Sequence, residues 1–96
     1  MAKTKVLNTF IAGVEQFLEQ KAGVSNIIIS NVTNVNVKAS VRIGLPEGSA
    51  YIVKDAVIPV GTSLLALDNQ LLQTASSKIS VETDTTSGVE VVYTAL

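Results

Sequence analysis

Two carboxylates near the end of the chain, Glu82 and Asp84, have a spacing that suits acid–base chemistry or a hard-cation site. Residues two apart on a strand point to the same face, so both side chains could reach one ligand. The same pattern is typical of a solvated polar face beside a turn, because charged side chains are mostly exposed. We favour the solvated face and predict neither a metal site nor a catalytic pair here.

Two other segments contain residue types that bind ions or phosphates elsewhere. Asp68 and Asn69 could supply oxygens to Ca²⁺, but the spacing around them is not that of an EF-hand, and we predict a turn. Residues 44–49 are rich in glycine but lack the Lys-Ser/Thr ending of a phosphate-binding loop, and no helix pattern follows. We predict a connecting loop there, with a contact loop as the second interpretation.

The composition excludes several kinds of chemistry. The 96 residues include no Cys, His or Trp, so a Ser-His-Asp or Cys-His arrangement and a zinc-thiolate site cannot form within the chain. The net charge of −1 does not favour a nucleic-acid partner. Lys38, Arg42 and Lys54 are expected on one solvated face or in ion pairs. We predict that the protein is not an enzyme and uses no cofactor.

The hydropathy pattern argues against a membrane partner. No stretch approaches the roughly 20 apolar residues that span a bilayer. The start of the chain is charged like a signal peptide, but Asn8, Thr9 and Glu15 interrupt the apolar region that would have to follow. We therefore expect a protein made in a cytoplasm.

The elements that would position these side chains are predicted to be β-strands. Residues 34–43 alternate apolar and polar side chains, which is typical of a half-buried strand. Residues 24–30 contain a β-branched run, and the short Asn31-Val32-Thr33 segment between the two predicts a hairpin. That segment also matches the N-glycosylation pattern, which is frequent by chance.

Later segments continue the same pattern. Residues 51–53 and 57–58 form strand pieces around Lys54 and Asp55, and Pro59 and Gly61 end them. Residues 78–83 and 89–93 are predicted strands joined by a hairpin loop at 84–88. Short strands with regular turn signals favour an all-β protein. We predict one small antiparallel, jelly-roll-like β-sandwich domain over residues 1–96.

Residues 1–20 are ambiguous. Their apolar side chains fit the spacing of an amphipathic helix, but several are poor helix formers and Gly13 lies in the middle of the segment. Two strands, at 4–12 and 14–20 with a break at Ala12 and Gly13, are the alternative. From periodicity alone, both a short helix and two strands stay open.

The order of segments resembles that of a loose group of small all-β virion structural proteins of tailed bacteriophages. The resemblance is one of strands and turns, and its parts are residues 17–23, 24–33, 35–43, 58–64 and 79–93. It favours strands in the N-terminal segment. It implies a non-catalytic virion protein, and we expect a capsid decoration or cement protein that docks in many copies on the shell.

The expected partners are the major capsid protein or other virion proteins, together with further copies of the chain. We expect the N-terminal arm, residues 1–20, to take part in assembly. The expected assembly interface consists of exposed apolar side chains outside the best-patterned strands: Val6, Phe10, Phe17 and Tyr51. A neck or tail accessory protein is the first alternative. A carbohydrate-binding host-attachment module is the second.

Overall fold

The computed structural model describes residues 2–68, 72–73 and 78–96, and the regular elements in these ranges are β-strands. In chain order they are β1 (Lys3–Leu7), β2 (Gln16–Phe17), β3 (Gly23–Asn31), β4 (Val37–Leu45), β5 (Gly48–Ile58), β6 (Ser63–Leu67), β7 (Leu72–Gln73), β8 (Lys78–Thr83) and β9 (Val89–Ala95). No helix in the described ranges is long and apolar enough to cross a membrane.

The strands form two antiparallel sheets that pack face to face. Sheet I has the order β1-β9-β3-β6, with β7 beside β3, and sheet II has the order β2-β8-β4-β5. Across the halves of the chain, β4 pairs with β5, β3 with β6, β2 with β8, and β1 with β9. The path is that of one long hairpin with its tip at Pro46 and Glu47, wrapped into a sandwich. This is the jelly-roll arrangement, and the predicted fold is confirmed.

The core lies between the sheets and comes from the alternating positions. Val37, Ala39 and Val41 of β4 are buried, as the pattern predicts, but β4 begins at Val37 and the preceding Val35 is exposed. The inward positions on β3, β8 and β9 contribute most of the remaining core, which includes Val24, Ile27, Ile29, Ile79, Val81, Val89, Val91 and Tyr93.

The N-terminal segment is built from strands. β1 and β2 are shorter than the predicted spans, and a turn at Ala12 and Gly13 separates them. Gly13 has a φ of 76°, a left-handed conformation that only glycine adopts without strain, so the chain reverses there instead of continuing as a helix. Its N–H donates to the carbonyl of Thr83 at 2.9 Å, which attaches this turn to the end of β8.

The predicted hairpin between β3 and β4 is wrong, because β3 belongs to sheet I and β4 to sheet II. Asn31 lies at the start of the connection between β3 and β4, and its side chain is buried. The Asn31 Nδ2 group donates to the carbonyls of Val35 and Ile58, both at 2.8 Å. Its Oδ1 accepts from the backbone N–H of Thr33 at 2.9 Å. The Asn31 side chain therefore stabilises this connection by hydrogen bonds within the folded chain, and its amide is buried.

The predicted hairpin between β8 and β9 is also wrong, since these strands again lie in different sheets. The two crossovers contact each other. The Val32 N–H donates to the carbonyl of Gly88 at 3.0 Å, and a Cβ on Gly88 would lie only 2.2 Å from Cγ2 of Thr33. Gly88 has a φ of 76° as well. Close backbone approach and a left-handed conformation both require glycine here.

β5 is a single edge strand with irregular pairing. The register with β4 shifts between Ala39 and Val41, so Lys54 and Asp55 both stand opposite Ser40. Asp55 has a φ of 49°, and its N–H donates to Ser40 Oγ at 2.9 Å. The two residues predicted to separate strand pieces therefore form a β-bulge. Bulges and charges on an edge strand disfavour pairing with another chain along that edge.

Candidate interaction surfaces

The residues predicted to form an assembly interface lie in three different places. Val6 is exposed on the outer face of sheet I, and Phe17 and Tyr51 are exposed on sheet II. Phe10 is only 2% exposed, so the expectation of an exposed side chain is wrong for this residue. Phe10 packs into the core because the irregular segment after β1 is tied to the β8–β9 crossover, where the Ser87 N–H donates to the Phe10 carbonyl at 3.2 Å.

Phe17 and Tyr51 belong to one row that crosses sheet II. In the strand register, Phe17 pairs with Ser80, Ser80 with Arg42, and Arg42 with Tyr51. Paired residues of neighbouring strands point to the same face. Phe17 is 55% exposed and Tyr51 is 50% exposed, at the two edges of the sheet. We call these four residues the aromatic row.

Cations lie beside both exposed rings of the aromatic row. The Arg42 guanidinium carbon lies 5.7 Å from the Tyr51 ring centroid, and Lys54 Nζ lies 5.2 Å from it. At the other edge, Lys78 Nζ lies 5.5 Å from the ring centroid of Phe17. The expectation that Lys54 lies near Arg42 is confirmed. Each ring is therefore presented to solvent together with positive charge.

Arg42 is held in the row by polar contacts with Glu15 and Ser49, and Glu15 is itself held by Ser80. Its Nη1 lies 3.6 Å from Oε1 of Glu15, and its Nη2 donates to Ser49 Oγ at 2.6 Å. Ser80 donates from Oγ to the other oxygen of Glu15 at 2.5 Å. The guanidinium is thus oriented before any partner arrives, which reduces the entropy lost on contact.

A second row crosses the outer face of sheet I, and among the predicted interface residues it contains only Val6. Val6 pairs with Val92, Val92 with Ile28, and Ile28 with Leu65. Val6 and Leu65 at the sheet edges are 63% and 52% exposed, and Val92 and Ile28 between them are each 37% exposed. We call these four residues the apolar row.

Polar rows flank the apolar row on both sides. Thr4, Thr94 and Asn26 form one of them, in continuous register across three strands. Glu90, Ser30 and Ser63 form the other, and the hydroxyls of Ser30 and Ser63 are hydrogen-bonded at 2.9 Å. The face is therefore an apolar centre with a polar border, in which Glu90 is the ionised residue.

The sequence contains a signal for the apolar row. In the run Ile27-Ile28-Ile29 the middle residue breaks the alternation expected of a half-buried strand, and Val92 does the same within Val91-Val92. Such a break places an apolar side chain on the outer face. It identifies an exposed position only once the two neighbours are known to point inward.

Of the two carboxylates singled out from the sequence, Asp84 has a structural role. Asp84 Oδ1 accepts from the Lys38 N–H at 2.9 Å, and the Asp84 N–H donates to the Lys38 carbonyl at 3.1 Å. Glu82, Asp84 and Asp55 border one shallow cavity of about 370 Å³, and Lys38 lies in the same lining. In the described ranges, no group of three or more acidic side chains could hold a metal ion.

The remaining predicted loops have separate outcomes. Residues 44–49 are mostly strand, because β4 runs to Leu45 and β5 starts at Gly48, and only Pro46 and Glu47 form the exposed turn. Asp68 is exposed at the end of β6, and Asn69 lies outside the described residues.

Comparison with known proteins gives no assignment for this chain. No family model matches the sequence, and neither the curated proteins nor the solved structures searched with it yield a match.

Proposed function

We propose that this chain is a non-catalytic structural protein of a tailed-phage virion, a capsid decoration or cement protein that docks in many copies on the shell. Its partners are the major capsid protein or other virion proteins, and further copies of itself. The observation that carries the proposal is the aromatic row, which exposes two rings and an oriented arginine on one face of a jelly-roll sandwich. Jelly rolls recur in viral capsid proteins, which is a supporting analogy.

The aromatic row contains residue types that contribute much of the binding energy in protein interfaces. Tyrosine and arginine are enriched among the residues whose truncation costs the most binding energy. Burial of the row against a shell protein would remove water from the contacts of Tyr51 with Arg42 and Lys54. A desolvated cation–π contact is worth about 2 kcal/mol, compared with about 0.5–1 kcal/mol at an exposed site. The contacts that pre-order the row would thereby strengthen docking.

The location on the particle can be tested by electron microscopy of purified phage labelled with gold-conjugated antibody to this protein. We expect label spread over the head. Label confined to the neck or tail would favour the first alternative, a neck or tail accessory protein. Particles without label would contradict a virion role.

The docking surface can be tested with particles that lack the protein. We expect Tyr51→Ala to bind at least tenfold more weakly than wild type in a co-sedimentation assay, and Tyr51→Phe to bind nearly as well, because the ring and its cations remain. Val60→Thr is the matched control, since Val60 is an exposed apolar residue in the turn after β5. Equal binding by Tyr51→Ala and wild type would exclude the aromatic row as the docking surface.

A carbohydrate-binding host-attachment module is the second candidate, because sugars stack on exposed aromatic rings and half of Tyr51 is exposed. Against it, Arg42 and Lys54 already lie within 6 Å of that ring, and a sugar would have to displace them. Titration of the protein with host glycans tests this candidate. Saturable binding that Tyr51→Ala abolishes would favour it over decoration.

A further inference from the structure

The apolar row on sheet I needs an explanation that the aromatic row does not provide, since the two rows lie on opposite faces of the sandwich. We propose that the apolar row is the surface through which two copies of the chain pair, with sheet I of one against sheet I of the other. The inference builds on the proposed function, because it names the contact by which copies on one particle associate.

The charge distribution favours an identical face as the occupant. Of the ten residues in the apolar row and its two flanking rows, only Glu90 is ionised. A strongly charged partner would find no complementary charge on this face. A second copy brings the same nearly neutral surface, so like-charge repulsion is confined to one residue on each side.

The order of side chains in the row is self-complementary. A two-fold axis parallel to the strands, placed between β9 and β3, reverses the row of one copy over the row of the other. Val6 then faces the partner's Leu65, and Val92 faces the partner's Ile28. Each smaller side chain meets a larger one, so the two rows can interdigitate as the inner faces of a sandwich do.

The same two-fold axis also keeps the Glu90 carboxylates of the two copies from facing each other. It places each flanking row over the same flanking row of the partner. Ser30 on β3 pairs with Glu90 on β9, so the axis between these strands places Glu90 of one copy opposite the partner's Ser30. A serine hydroxyl can donate to the carboxylate, and the two Glu90 side chains are not placed directly opposite each other. The border of the contact is therefore polar and compatible with the apolar centre.

The size of the face sets the expected strength of the pair. Strands lie about 4.8 Å apart and outward residues about 6.7 Å apart along a strand, so the ten residues of the three rows cover about 320 Å² per copy. Two copies enclose about 640 Å² of projected area, and somewhat more accessible surface. This is below the roughly 1,200 Å² of stable specific interfaces and is the size of a weak, transient contact. We expect a reversible dimer with a micromolar dissociation constant, which multiple copies on one particle would reinforce.

Sedimentation equilibrium of the full chain from about 1 to 500 μM tests the pairing. We expect wild type to show a concentration-dependent dimer and Val92→Lys to weaken it at least tenfold, because the substitution places a positive charge in both halves of the contact. Leu65→Ser is a milder second variant at the sheet edge. Val57→Lys is the matched control, because Val57 is exposed on β5 of sheet II, and we expect it to dimerise like wild type. Circular dichroism establishes that each variant is folded.

A mixing experiment tests the two-fold arrangement itself. Val92→Lys and Ile28→Glu are each expected to be mainly monomeric alone. In a heterodimer with the proposed axis, the introduced lysine faces the introduced glutamate, while the second Val–Ile contact stays intact. We expect the mixture to regain dimer, and we expect the gain to diminish at high salt. A mixture that stays monomeric would contradict this axis.

Two results would overturn the inference: wild type that is monomeric at every concentration, or a dimer that Val92→Lys and Leu65→Ser leave unchanged. These outcomes are separable from failure of the proposed function. A monomer that still labels phage heads overturns the pairing alone. A dimer that labels no particle overturns the virion role alone.

Discussion

The two outer faces of the sandwich are both built on antiparallel sheets, yet they carry opposite chemistry. On sheet II the central row joins two rings to Arg42, with Glu15 and Ser80 completing a polar network. On sheet I the corresponding row consists of four aliphatic side chains. Both sheets place the same kind of aliphatic residues inward. The inward set accounts for the packing of both sheets, so the outer faces are free to differ in chemistry.

The comparison also separates two ways of keeping an exposed surface ordered. The charged groups of sheet II orient one another through contacts that water weakens and a partner would strengthen. The aliphatic side chains of sheet I are positioned by the backbone register alone, since valine and isoleucine have few rotamers. Sheet II thus offers directional contacts, and sheet I offers shape.

The largest effect is expected from the inward neighbour of the apolar row. Ile29→Ala should destabilise the protein by about 3 kcal/mol, because Ile29 is fully buried and its truncation leaves a cavity. Ile28→Ala should cost under about 1 kcal/mol in the monomer, because its side chain lies on the outer face. Urea unfolding at low protein concentration measures both values. Equal losses would mean that the apolar row is part of the fold and not a separate surface.

A smaller effect is expected at the crossovers that keep the two faces on opposite sides. Gly88→Ala should cost about 2 kcal/mol, because a left-handed alanine is strained and its Cβ overlaps Thr33. Gly61→Ala is the matched control, with a φ of 71° and open space around the new Cβ. It should show the strain alone. Thermal unfolding of the two variants gives the difference.

The overlap can be relieved independently. Thr33→Ser removes Cγ2 but keeps the hydroxyl that donates to Asn31 Oδ1 at 2.6 Å. We expect Thr33→Ser to recover the part of the Gly88→Ala loss that exceeds the Gly61→Ala loss. If the double variant is no more stable than Gly88→Ala, steric overlap is not the cause.

The smallest effect is expected from the ion pair of the aromatic row. Glu15→Gln should cost less than about 1 kcal/mol, because Glu15 and Arg42 are both partly exposed. The loss should shrink as ionic strength approaches about 1 M, where charges are screened over about 3 Å. Val6→Thr on sheet I is the comparison and should show no such dependence. Urea unfolding at two salt concentrations tests both, and a salt-independent Glu15→Gln loss would contradict an electrostatic origin.

Local patterns predicted the strands well and their connections poorly. Alternation located β4, β8 and β9 because the inward set is determined by neighbours two residues apart. The segments at 31–33 and 84–88 have turn chemistry, but reversing the chain does not specify which sheet the next strand joins. At the first crossover, the buried Asn31 side chain donates to the carbonyl of Ile58, a residue 27 positions away. No local pattern contains this contact.

The candidate surfaces show the same division. Tyr51 and Phe17 were identified by type, but only the register of four strands places them in one row. Phe10 was expected to be exposed but is buried, in a segment whose contact with Ser87 lies far along the chain. The apolar row was missed because an aliphatic residue within a strand is usually a core residue. The face on which a side chain lies is determined by the tertiary structure, whereas its residue type is known from the sequence.

The place of β9 in sheet I has a consequence for the order of events during synthesis. β9 lies between β1 and β3, so these two strands acquire their shared neighbour only after residues 89–95 have been made. The nascent chain can form the β4–β5 hairpin early, but sheet I cannot be completed until β9 has been made. Pairing between such distant segments is intrinsically slow. We therefore expect the sandwich to close in milliseconds to seconds, as an all-or-none step.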